Sequence, residues 1–101
     1  MGKLVRDKIP DIISWSGKIP IVEILSDEDY LIELNKKLNE EVAEYHEDNS
    51  IEELADILEV LIAICEAKGY SMDDLLTWRY LKKFERGGFA DRIFWLGNEE
   101  V

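Results

Sequence analysis

From Ser26 onward, apolar residues recur every three or four positions, the spacing of one face of an α-helix. Leu31, Leu34, Leu38, Val42 and Tyr45 form a single stripe. Ser26-Asp27-Glu28-Asp29 supplies a hydroxyl cap and an acidic first turn ahead of it, so a helix is predicted from there to about His46 or Asp48. A second helix opens at Ser50-Ile51-Glu52-Glu53, a capping-box pattern, and runs to Lys68, with Gly69 as its left-handed stop. A third opens at Ser71-Met72-Asp73-Asp74 and ends near Arg86, before Gly87-Gly88.

The helix over 50–68 differs from its neighbours. Ile51, Leu54, Ile57, Leu58, Val60, Leu61, Ile62, Ile64 and Cys65 cover far more of its circumference than the single stripe before it, and such a helix is expected to be central and to touch several partners. Residues 1–25 read as an N-terminal arm, with a short helical stretch from Pro10 to Ser16 closed by Gly17, and a short extended segment at 19–25. Residues 89–101 form a tail carrying Phe89, Ile93, Phe94, Trp95 and Leu96. The expected fold is all-α, a compact helical bundle with its central helix around residues 50–68 and an N-terminal arm. The 101 residues fit one domain, 1–101.

Composition narrows the function classes. The hydrophobic fraction of 47% argues against disorder. No apolar run approaches the ~20 residues of a transmembrane helix, and Met1 to Asp7 lacks a signal peptide's apolar core, so no membrane partner is expected. The single Cys65 has no internal partner, which suits a reducing cytoplasm; it sits in an apolar run as a core residue. The net charge of −11 repels the phosphate backbone of a nucleic-acid polymer. A small nucleotide is not excluded, because a bound divalent cation inverts the local field.

Some carboxylates sit where solvated charge does not belong. At about 100° per residue, Glu41 falls about 60° from the middle of the first apolar stripe, and Glu44 lies further round on the same flank. On the central helix Glu53 and Asp56 share a flank with Ile57, Val60 and Ile64. A short turn at 47–50 lets the two pairs face one another across an antiparallel contact. Four such groups repel and resist desolvation, and a hard cation with oxygen ligands, such as Mg²⁺, resolves both costs. Helical spacing alone also allows a solvated acidic face, and Glu53 has a structural role open to it as partner of Ser50 in a capping box.

Glu40-Glu41-Val42-Ala43-Glu44 followed by Glu53-Leu54-Ala55-Asp56 resembles the EExxE…ExxD signature of the MazG-type all-α nucleoside triphosphate pyrophosphohydrolases, a superfamily that includes phosphoribosyl-ATP pyrophosphohydrolase and the dimeric dUTPases. Leu4-Val5-Arg6-Asp7-Lys8-Ile9-Pro10 and Arg86-Gly87-Gly88-Phe89 resemble a compact branch regarded as house-cleaning enzymes that act on noncanonical nucleotides. The resemblance implies Mg²⁺, with Mn²⁺ as a substitute, held by Glu41, Glu44, Glu53 and Asp56. It implies hydrolysis between the α- and β-phosphates of a nucleotide, giving monophosphate and pyrophosphate, with Glu40, Glu41 and Glu53 as catalytic groups and outer positions at Glu40 and Glu52. It also implies a homodimer or homotetramer. A phosphoribosyl-ATP or narrow dUTP or dCTP hydrolase shares this fold, and a non-catalytic acidic helical interaction module is the alternative from another class.

Pyrophosphate release from an acidic protein calls for cations. Lys37 and Arg86 lead, followed by Lys83, then Arg6 and Lys8. Trp15 is the expected base-stacking residue, on the arm that distinguishes this branch; aromatics serve more often in cores and interfaces. His46 stands alone near a helix end, and neither a Ser/His/Asp set nor a Cys/His zinc pattern is present.

Overall fold

The computed structural model describes residues 2–100. Among them the regular structure is entirely helical: α1 (Ile9–Trp15), α2 (Asp27–Asp48), α3 (Ile51–Ala67) and α4 (Met72–Arg86). The expected extended segment at 19–25 forms no strand.

The local signals act where the sequence places them. Ser26, Ser50 and Ser71 each adopt extended backbone and accept a hydrogen bond from the backbone N–H three residues on. Each cap satisfies one of the donors that a helix start leaves unpaired. Only Ser71–Asp74 closes a reciprocal capping box, the Asp74 side chain accepting from Ser71 N–H at 2.9 Å. The box expected at Ser50 is half made: Ser50 Oγ accepts from Glu53 N–H at 3.3 Å, and no bond returns from the Glu53 carboxylate. That carboxylate is therefore free for other work. Gly69 ends α3 with φ of 86°, a left-handed conformation that a Cβ would strain.

Asn49 caps α2 in the left-handed region at φ 52°, and Ser50 immediately caps α3. Asn tolerates that region better than most residues. So short a link turns α3 back along α2, and these two form the principal packed pair; α4 touches α3 far less. Leu34 on α2 and Val60 on α3 are the buried apolar residues at their contact, with 3% and 8% of their surfaces exposed. Leu31, Leu38, Val42 and Tyr45, the rest of the expected stripe, are half-buried.

Two expectations need correction. The chain is not compact: its radius of gyration is 18.6 Å, against about 13 Å for a compact domain of this length. Nor is α3 enveloped, since Ile51, Leu54 and Leu58 are exposed. The cause is that α4 touches α3 little, and the arm, which meets α3 at Asp56, leaves these three side chains uncovered. The accessible surface is 9540 Å², whereas a compact monomer of this mass has about 5,900 Å².

Candidate metal centre

The α2–α3 hairpin performs the juxtaposition that the helical spacing allowed. One oxygen from each of Glu41, Glu53 and Asp56 lies within 4.8 Å of the others. Glu41 occupies the buried side of α2, about two turns beyond Leu34, and retains 6% of its surface. Glu53 and Asp56 rise from the first turns of α3 and are half-buried. Glu44 stands outside this tight group and still feels it: the charge of Glu41, then loss of solvent, pushes its carboxyl above the usual range.

The electrostatics identify a strained set. Loss of solvent, then the neighbouring Glu41 and Glu44, push Glu53 up to about 7. Glu41 Oε2 and Glu53 Oε2 are buried and have no hydrogen-bond partner. A buried acceptor left unpaired carries its full desolvation cost, so the fold holds these two oxygens at an energetic disadvantage.

Two basic side chains reach the cluster from outside. Lys37 Nζ lies 3.4 Å from Glu41 Oε1 and 3.4 Å from Glu40 Oε2, the neighbours that helical spacing gives it. Arg6 Nη2 donates to Asp56 Oδ1 at 2.7 Å, and this bond raises the guanidinium pKa. Arg6 comes from the arm, so the bond spans 50 positions of sequence.

Beside the cluster, the arm and the helix pair enclose a cleft of about 450 Å³, a volume within the range of small-molecule sites. Arg6, Lys8 and Lys37 line it together with Glu41 and Asp56, and Tyr30, Leu34 and Val60 give it an apolar wall. Glu59, which sequence reasoning passed over, also lines the cleft and adds negative charge near Arg6. Its only sequence signal was its place one turn after Asp56, indistinguishable from a solvated position.

The remaining expected residues lie elsewhere. Glu40 is half-buried and engaged with Lys37, and Glu52 is exposed. Lys83, Arg86 and Trp15 do not line the cleft. Lys83 and Arg86 close α4, where Arg86 borders a separate concavity with Gly87, Gly88 and Phe89. Trp15 is 79% exposed at the end of α1.

The three carboxylates fit a hard divalent cation by their chemistry: all are oxygen donors, two offer a buried unpaired oxygen, and Glu53 resists ionisation without a counter-charge. No helix among the described residues is long and apolar enough to cross a membrane. No family model matches the chain, and no solved structure matches it. A protein of Mycolicibacterium smegmatis (strain ATCC 700084 / mc(2)155), described only as uncharacterized, is 52% identical to it over 44 residues; that stretch covers 44% of this chain and 45% of the relative.

Proposed function

We propose that this chain is an Mg²⁺-dependent nucleotide pyrophosphohydrolase of the MazG-like kind that the motifs resemble. One observation carries the reading: two buried carboxylate oxygens without partners, on Glu41 and Glu53, in a cluster completed by Asp56. An acidic surface patch would place its oxygens in water, whereas these are withdrawn from it. Glu41, Glu53 and Asp56 would hold the ion, with Glu44 beside them, and Mn²⁺ would serve in its place. A bound Mg²⁺ supplies charge to polarise a phosphoryl group and to lower the pKa of water.

The chain's own residues supply the rest. Lys37 and Lys8 line the cleft next to the cluster and are placed to neutralise a polyphosphate. In the reaction, the oxygen of a water bonds to the α-phosphorus of the α–β anhydride. The bridging P–O bond breaks, pyrophosphate leaves, and a carboxylate of the cluster takes the water's proton. Glu40, 3.4 Å from Lys37 and outside the three-carboxylate group, would orient that water rather than bind the ion. Lys83, Arg86 and Trp15 would act on substrate only from another copy of the chain. A homodimer or homotetramer accords with the excess exposed surface, about 3,600 Å² per chain over a compact monomer. A cytoplasmic setting accords with the lone Cys65.

Product analysis tests the reaction. Canonical and damaged triphosphates and phosphoribosyl-ATP are incubated with Mg²⁺, and the products are resolved by ion exchange. Monophosphate plus pyrophosphate is expected. Diphosphate plus phosphate contradicts the bond assigned. No turnover together with no calorimetric Mg²⁺ binding returns the chain to a non-catalytic acidic interaction module.

A further inference from the structure

We infer that Arg6 is a positioning residue for the metal centre: it holds Asp56 by one oxygen, orients the other toward the cation, and so ties the N-terminal arm to metal occupancy. The inference rests on the metal-centre reading above and assigns Arg6 a place that a phosphate-binding role would not.

The geometry separates two ways in which an arginine can sit beside a metal site. In the first it substitutes for the ion, lying among the carboxylates and bonding to several of them. Arg6 does not do this. Its hydrogen bond goes to Asp56 Oδ1 alone, while Glu41 Oε2 and Glu53 Oε2 stay without partners. Its side chain is 57% exposed, so the guanidinium lies on the solvent side of Asp56. In the second, the arginine binds a ligand's outer oxygen and fixes the carboxylate plane. That is the arrangement inferred here: Oδ1 is engaged by Arg6 at 2.7 Å, and Asp56 also offers an oxygen within 4.8 Å of oxygens of Glu41 and Glu53.

Asp56 needs such a partner. Its side chain is 36% exposed on the outer edge of the cluster, and the bond from Arg6 is the hydrogen bond that its carboxylate makes. A half-exposed aspartate without that bond is free to turn into water, and a ligand that must first be immobilised binds a metal less well. Outer partners of metal ligands commonly change affinity by about 10–100-fold. The arm has a matching need. Residues 2–8 form no helix or strand before α1 begins, and Arg6–Asp56 joins them to α3. The same bond therefore fixes one wall of the cleft and one ligand.

The test compares wild-type protein with Arg6→Ala and Arg6→Lys, measuring Mn²⁺ binding by calorimetry and by the electron paramagnetic resonance signal of free Mn²⁺. Circular dichroism melts in EDTA verify that each variant is folded. Arg6→Ala is expected to bind Mn²⁺ about 10-fold or more weakly, with Arg6→Lys recovering part of the loss. Brief trypsin treatment is expected to cut the wild-type arm at Lys3 and Lys8 more slowly with Mn²⁺ present, and at an unchanged rate in Arg6→Ala. An Arg6→Ala variant that binds Mn²⁺ as tightly as wild type, or more tightly, overturns the inference, since deleting a mere neighbouring positive charge should favour a cation. Wild-type protein that binds no Mn²⁺ removes the metal centre itself and the inference with it. The two failures are thereby distinct.

Discussion

Replacing Glu41 by Gln should make the metal-free protein more stable while removing its response to Mg²⁺. Glu41 is 94% buried by surface area, its Oε2 has no partner, and its charge raises both Glu44 and Glu53. An unpaired buried acceptor costs about 1–3 kcal/mol. Gln keeps the shape, removes the charge and offers an amide N–H to the neighbouring carboxylates. Against this stands the loss of the 3.4 Å contact with Lys37, which retains Glu40 at the same distance. A pair of that kind is worth about 0–1 kcal/mol. The balance favours the variant by about 1 kcal/mol, or a rise of about 4–8 °C in Tm for a domain of this size. Wild type should gain about 2.7 kcal/mol from Mg²⁺ at a hundred times its Kd, and Glu41→Gln almost none. The assay is a pair of thermal melts for each protein, in EDTA and in Mg²⁺, at one protein concentration. A variant that melts below wild type in EDTA and still gains from Mg²⁺ would show that Glu41 is a satisfied structural group.

Three further outcomes follow from the same contacts. Glu53 is pushed up to about 7 from an ordinary 4.5, so the folded state holds its proton more tightly than the unfolded one. Its contribution to stability is complete below about 4.5 and is lost as pH rises toward 7. Melts in EDTA should fall across that window with a shallower slope in Glu53→Gln, and Mg²⁺ affinity should climb over it; a slope identical in the variant refutes the assignment. Leu34→Ala removes the most buried side chain of the α2–α3 contact and should cost about 2–5 kcal/mol in a denaturant titration; a loss under 1 kcal/mol would mean that the hairpin is not the stabilising unit. Light scattering should report a dimer or tetramer, and Leu58→Lys, at a position 48% exposed on α3, should shift it toward monomer; a monodisperse wild-type monomer would refute the oligomer and with it any role for Arg86 in a neighbour's site.

Much of this architecture was legible because its determinants are local. A serine before an acidic turn, a glycine after an apolar run and a stripe at helical spacing act within a few residues, and α2, α3 and α4 begin after Ser26, Ser50 and Ser71 as the pattern requires. The vertical pairing of Glu41 with Glu44 and of Glu53 with Asp56 follows from the same period, and a two-residue link suffices to bring α2 and α3 together. What escaped the sequence is non-local. Nothing near Arg6 signals a bond to Asp56, because that partner depends on where the arm comes to rest. Compactness failed for a related reason. The apolar circumference of α3 states that the helix needs several neighbours, but does not say whether they come from the same chain. The Ser50 capping box failed through competition: the Glu53 carboxylate could return to the Ser50 N–H, and instead joins Glu41 and Asp56.

That competition bears on the proposed reading of the cluster as a metal site. Among the described residues only Leu34, Val60 and Glu41 are buried, with 3%, 8% and 6% of their surfaces exposed. A chain this short has few buried positions, and hydrophobic side chains are available in quantity, with Leu58, Leu76 and Leu81 each more than two-fifths exposed. A sequence shaped by stability alone would place one of these opposite Leu34 and turn a carboxylate outward. Here the order is reversed. The acid is inside, its oxygen is unpaired, and the carboxyl of its neighbour Glu53 is pushed up to about 7. Neither helix propensity nor capping accounts for that arrangement, since Glu53 gives up a cap bond in making it. A bound divalent cation, as proposed above, would account for all three features together: it would need the charge, pair the unpaired oxygens and compete with the proton.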